Sequence, residues 1–99
     1  MINSEFEWDD AKAARNLRVR GIGFEAAREV FRDHFVLDWL DMREDYGEER
    51  YGAIGMVQDR QLHVAYTIRN ERIRVISVRK AEPHERRKYH ERRKQEEKD

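Results

Sequence analysis

The residues best suited to chemistry are arginines with carboxylate or phenol neighbours. Arg79 stands where an apolar run ends and a strongly basic segment begins. A guanidinium forks onto two phosphate oxygens and steadies charge that develops during a reaction, so Arg79 is the first candidate. Arg50 follows Glu49, which either orients it or neutralises it. Arg69 closes another apolar run and can join the same patch. Glu85 and Tyr89 lie four apart and would share a helix face, as a proton-handling pair or with Tyr89 simply anchoring the helix. Each arginine equally fits a solvated surface ion pair. Histidine exchanges protons near neutral pH. Here His34, His63, His84 and His90 have no metal-ligand spacing, and a plain surface role is expected of all four. With no cysteine there is no thiol nucleophile, disulfide or zinc ribbon. The expected site is arginine-rich, uses no metal or cofactor, and lacks an evident general base.

Those side chains need elements to hold them. Phe6-Glu7-Trp8 alternates as a short strand does, and Asp9 or Asp10 offers a carboxylate to the free N–H groups of a helix start. Ala13, Ala14 and Leu17 mark one face of a helix to about Arg20, and Gly21-Ile22-Gly23 breaks it. Phe24, Ala27, Val30 and Phe31 make the stripe of a second helix, ended by Asp33-His34. Residues 35–42 read as a strand and 41–49 as an acidic loop. Segments 51–57, 62–68 and 73–78, joined by short polar turns, read as an antiparallel meander. His63 falls on the strand face opposite Val64, Tyr66 and Ile68. Glu82-Pro83 suits a helix start. Residues 84–94 are so polar that this helix must lie on the surface, wait for a partner, or fray beyond about Arg93. The fold class is α+β: two N-terminal helices, an antiparallel sheet and a basic C-terminal helix.

Ninety-nine residues, 38% hydrophobic and 42% charged, fit one thin-cored domain over 1–99, with 95–99 as a frayed tail. No apolar run approaches membrane-spanning length, and acidic residues interrupt any signal-peptide core near the N-terminus, so no membrane partner and a cytoplasmic location are expected. Net charge is zero but divided. Residues 1–50 carry 8 Lys/Arg against 13 Asp/Glu, whereas residues 60–94 carry 12 against 4. The basic half is compatible with an RNA partner.

Phe6-Glu7-Trp8-Asp9, Lys12, Asn16 and Gly21 open a pattern continued by Phe24-Glu25-Ala26-Ala27, Val30-Phe31 and Asp33. Glu49-Arg50, Gly55, Ile73 to Ala81, Glu85, Arg86 and Tyr89 complete it. In order and spacing, over roughly residues 5–91, the chain resembles BrnT-type toxins of type II toxin–antitoxin systems. It departs at Val19 and Arg20, where family members often carry Lys-His, and at Val78, where they carry Ala.

The resemblance implies a RelE-like fold and a ribonuclease toxin that cleaves RNA without metal and inhibits translation. It also implies a BrnA-type antitoxin that neutralises the toxin and contacts operator DNA, with a homodimer inside that complex as one arrangement. Arg79, Arg50, Glu85 and Tyr89 then become catalytic candidates, and Arg69, Arg74, Lys80, Arg86 and Arg87 RNA-binding ones. RNA supplies its own nucleophile, the 2′-hydroxyl, so the protein need only orient the phosphate, move protons and stabilise charge. The alternative is a toxin-like binding module with weakened catalysis, serving as antitoxin partner and co-repressor.

Overall fold

A computed structural model describes residues 1–98. In chain order the elements are β1 (Phe6–Glu7), α1 (Asp10–Arg20), α2 (Ala26–Arg32), β2 (Leu37–Asp41), β3 (Arg50–Val57), β4 (Arg60–Arg69), β5 (Arg72–Lys80) and α3 (Pro83–Lys98). Asp9 caps α1 by accepting from the Ala11 and Lys12 N–H groups, and Gly21 ends it in the left-handed region at φ 73°. No helix among the described residues is long and apolar enough to cross a membrane.

The sheet has five strands in the order β1-β5-β4-β3-β2. β3, β4 and β5 form the expected antiparallel meander and β2 adds antiparallel to β3, but β1 pairs in parallel with β5, Phe6 opposite Ile73. The sheet is therefore mixed rather than purely antiparallel. Two residues of β1 could not announce a partner so distant in sequence. A bulge bends β5: Ala65 faces Ser77 while Tyr66 faces Val75, leaving Ile76 without a partner. The extra residue puts Arg74 and Arg79, an odd number of positions apart, on the same sheet face.

Cross-strand partners share a face. The inner face presents Ala53, Val64, Tyr66, Val75 and Val78 to Trp8, Phe24, Ala27 and Val30, forming the main core. Gly55 permits this contact, because a Cβ there would stand 2.6 Å from the Val30 carbonyl oxygen. The helix face expected of α1 is corrected: Leu17 is 55% exposed, and the buried residue is Asn16. Its amide donates to the carbonyls of Val78 (2.9 Å) and Ile22 (2.8 Å), and its oxygen accepts from the Val78 N–H (3.4 Å). Asn16 thus takes the place of a neighbouring strand along the edge of β5 that two-residue β1 does not cover.

On the outer face a smaller cluster forms around Ile54, Ala81 and Tyr89. Tyr89 is fully buried, and its hydroxyl donates to Asp33 at 2.5 Å. That carboxylate also accepts from the Met56 N–H (2.7 Å) and the Phe35 N–H (2.9 Å). One buried aromatic and the network on the half-buried Asp33 carboxylate dock α3 onto the sheet. The helix runs through residues 95–98, which the sequence assigned to a frayed tail; Asp99 lies outside the described residues.

Candidate functional site

Three strands set a rung of side chains on the outer face: Ile54 of β3, His63 of β4 and Arg79 of β5. The first turn of α3 crosses above it. Glu85 reaches back to accept the Glu82 N–H at 2.8 Å, as the third residue of a capping box does. The same carboxylate accepts a two-pronged bond from Arg79, Nη1 to Oε1 at 2.7 Å and Nη2 to Oε2 at 3.0 Å. Arg79 also donates from Nη1 to the Lys80 carbonyl at 3.1 Å. Burial opposes ionisation of Glu85, but the Arg79 fork and the Glu82 N–H outweigh it and hold the carboxyl down at about 2. Arg79 keeps 20% of its side chain exposed, so the pair lies at a rim.

His63, only 5% exposed, sits beneath this pair with Nε2 3.8 Å from Glu85 Oε2. Its Nδ1 is buried without a hydrogen-bond partner. Burial lowers its pKa to about 4, Arg79 adds to that effect, and Glu85 opposes it. The ring is neutral at pH 7. The surface role expected for His63 is therefore corrected, because α3 and Trp39 cover this part of the outer face.

Beside the pair opens a cavity of about 200 Å³ lined by Trp39, Arg43, His63, His84, Glu85 and Lys88. Arg43 is fixed at the rim by Asp41, Nε to Oδ1 at 2.9 Å and Nη2 to Oδ2 at 2.8 Å. One cavity thus joins two cationic side chains, an indole, two imidazoles and the Glu85 carboxylate, with Arg79 held behind that carboxylate. Such a set can hold a phosphate, stack a planar ring and exchange a proton. Among the described residues no group of three or more His, Asp or Glu side chains could hold a metal ion.

The expected residues divide by location. Glu85 lines the cavity, and Arg79 is bound to it. Tyr89 lies one turn further along α3 with its hydroxyl on Asp33, in the anchoring role. Arg50 and Arg69 converge instead on Glu48, at 3.4 Å and 3.0 Å, and Arg50 also stacks over Tyr46 at 4.4 Å. They do not join Arg79, because antiparallel strands put the start of β3 and the end of β4 opposite the end of β5. Arg50 is four residues from Ile54 along β3, about 13 Å at the usual rise. Arg74 pairs with Glu7 at 3.0 Å, toward that same far end. Lys80 and Arg86 line a separate cleft with Asp59 and Gln61, and Arg86 donates to the Ala81 carbonyl at 2.8 Å. Arg87 is exposed on α3. Val19 and Arg20 line a groove between α1 and β5 with Lys12, Arg15, Asn16 and Ser77, away from the cavity. Trp39, Arg43, His63, His84 and Lys88 were not expected at one site. The β-hairpin register was the only available signal, and the bulge at Ile76 displaces it.

A family model described as the ribonuclease toxin, BrnT, of type II toxin–antitoxin systems matches residues 8–85. No curated protein matches the sequence.

Proposed function

The chain belongs to the BrnT family of ribonuclease toxins of type II toxin–antitoxin systems, and from that membership we propose that it cuts RNA at the cavity under α3. A type II system pairs its toxin with a protein antitoxin. The finer reading is a BrnA-type antitoxin that neutralises the toxin and carries the operator-DNA contacts, with a homodimer of toxin inside the complex. Helices on the inner face of a meander and a C-terminal helix on the outer face support a RelE-like fold. The cytoplasm, where messenger RNA is translated, is the place of action.

One observation carries the catalytic reading: Glu85, which holds the Arg79 guanidinium in a two-pronged bond, lines the cavity together with Arg43, His84 and Lys88. Arg79 stabilises charge on the scissile phosphate, and Glu85, held ionised, positions the guanidinium. Arg43 and Lys88 hold the strand. His84 stands at the solvent side, 56% exposed, where an imidazole can exchange protons with RNA. The 2′-hydroxyl attacks phosphorus, its proton passes to a base, and the P–O5′ bond breaks as the 5′-oxygen takes up a proton. The product is a 2′,3′-cyclic phosphate, and no step needs a metal. Arrest of translation follows from the loss of message.

A second reading has its own observation. Glu85 and the Lys80 carbonyl already occupy three of the five N–H donors of Arg79, leaving Nε–H and one Nη2–H for a phosphate. That arrangement favours a binding module whose chemistry is weakened. Induction in a host, followed by incubation of the purified protein with RNA in a chelator, separates the two. Growth arrest with cyclic-phosphate ends supports the ribonuclease; antitoxin binding without arrest or cleavage supports the module.

A further inference from the structure

Trp39 is held on the outer face by a specific device. Its cross-strand partner is Gly52, where a Cβ would stand 2.6 Å from Trp39 Cζ2 and 2.8 Å from Cε2. Only glycine there lets the indole lie down on the sheet. From β4, His63 backs the ring at a centroid distance of 5.6 Å and a tilt of 53°. Supported from the sheet side, the indole contributes to the wall of the cavity whose rim carries Arg43, His84 and Lys88. The cavity suits one planar group rather than a helix or a strand. One edge of the half-buried indole packs against the Ile54–Tyr89 cluster, and the rest faces the cavity, flanked by cations; an aromatic wall beside cations is an arrangement by which proteins stack unpaired bases.

Resting on the reading that RNA is the substrate, we propose that Trp39 is a stacking platform that seats one unpaired base of a single-stranded RNA, with Arg43 and Lys88 on the adjoining phosphates. The cations at the rim favour a polyanion over an apolar peptide anchor from the antitoxin. Every base offers a π-face, so the platform fixes the position of the strand more than its sequence. Along the same face, the Asp41–Arg50 rung lies two residues from Trp39–Gly52, roughly 7 Å at the usual strand rise. The Arg50–Tyr46 stack therefore continues the path away from α3. Trp39 acts through binding: it holds the neighbouring phosphate in line with Arg79.

The test uses a hexamer of 2′-O-methyl RNA, which lacks the attacking hydroxyl, and a matching hexamer with one abasic position walked along it. Binding is read from the anisotropy of a dye at the 3′ end of the hexamer, and stacking from tryptophan emission. The second tryptophan, Trp8, is buried edge-on against Phe24 on the inner face and serves as an internal control. The intact hexamer should quench the wild type, and the best-placed abasic position should weaken binding roughly 5- to 150-fold. Trp39→Leu should lose the same factor and no longer distinguish the two strands, while Trp39→Phe keeps most of the affinity and shows no quenching. Should Trp39→Leu fail to fold, the intact-against-abasic comparison on the wild type decides alone. Equal binding and quenching by both strands overturns the proposal, as does a Trp39→Leu loss confined to antitoxin binding. A wild type that binds and quenches but cleaves nothing sinks the ribonuclease reading and leaves the platform standing. Unchanged hexamer affinity in a Trp39→Leu variant that still cleaves RNA does the reverse.

Discussion

Acidification should destabilise the fold through one buried imidazole, and the size of the effect follows from its surroundings. His63 titrates at about 4 in the folded chain, against an ordinary value of 6.5. A group whose folded pKa is depressed contributes stability that is complete above the unfolded value and lost as pH falls toward the folded one. Between pH 6.5 and 4 the unfolded chain binds the extra proton, so stability must fall as pH falls. From pH 7 to pH 4.5 the linkage amounts to about 2 kcal/mol, since each unit of displacement is worth about 1.4 kcal/mol. Glu85, held at about 2 from an ordinary 4.5, loses its contribution only between those values and adds little above pH 4.5. Urea denaturation at half-unit pH steps measures the slope. His63→Phe should flatten the curve between pH 6.5 and 4.5 and leave the steeper loss below pH 4.5 in place. An equal slope in wild type and His63→Phe, or a flat wild-type curve, would mean that His63 is not a neutral, desolvated ring.

Asn16→Ala removes the hydrogen bond to the buried Val78 carbonyl and the acceptor of the Val78 N–H, and should cost about 1–3 kcal/mol in urea denaturation, far more than Leu17→Ala at its exposed neighbour. Tyr89→Phe removes only the hydroxyl on Asp33; it should cost about 1–2 kcal/mol and speed amide exchange along α3 more than in the meander. Protection of α3 in the isolated wild type should already be strong, because the helix is docked on its own. Reversing Arg86, Arg87 and Lys88 to Glu should weaken RNA binding and its salt dependence more than the same change at Arg15 and Arg18, and indistinguishable variants would mean that α3 contacts no phosphate.

Much of the fold is legible in local chemistry. The Asp9 cap, the Gly21 stop, the stripe of α2 and the polar turns at residues 58–60 and 70–71 all act within a few residues. What escapes local reading depends on distant pairing. Counting back from the Asn70–Glu71 turn would place Arg79 opposite Leu62 and His63 opposite Val78. The single-residue bulge at Ile76 shifts both, so that Arg79 faces His63. That shift builds the site, and no residue type in β5 signals it. The polar helix looked unable to dock because its apolar content is small. Tyr89 alone supplies a fully buried ring, and Asp33, in sequence only a helix terminator, supplies its partner. Arg50 at a strand start and Arg69 at a strand end look like companions of Arg79, yet successive antiparallel strands finish at opposite ends of the sheet, which leaves both far from Arg79.

If Arg79 stabilises charge on the phosphate being cut, Arg79→Ala must slow cleavage while leaving the fold and antitoxin binding in place. Purified proteins are incubated with one defined RNA in a chelator, initial rates are compared, and the 3′ ends are mapped for 2′,3′-cyclic phosphate. Wild type should generate such ends. Arg79→Ala, folded and still bound by the antitoxin, should be slower by a hundredfold or more, roughly the few kcal/mol of a lost transition-state donor. Arg79→Lys, which keeps the charge but not the fork, should recover only part of the rate. Arg79→Ala cutting at the wild-type rate, or a wild type that cuts nothing, would mean that Arg79 serves the fold and not the scissile phosphate.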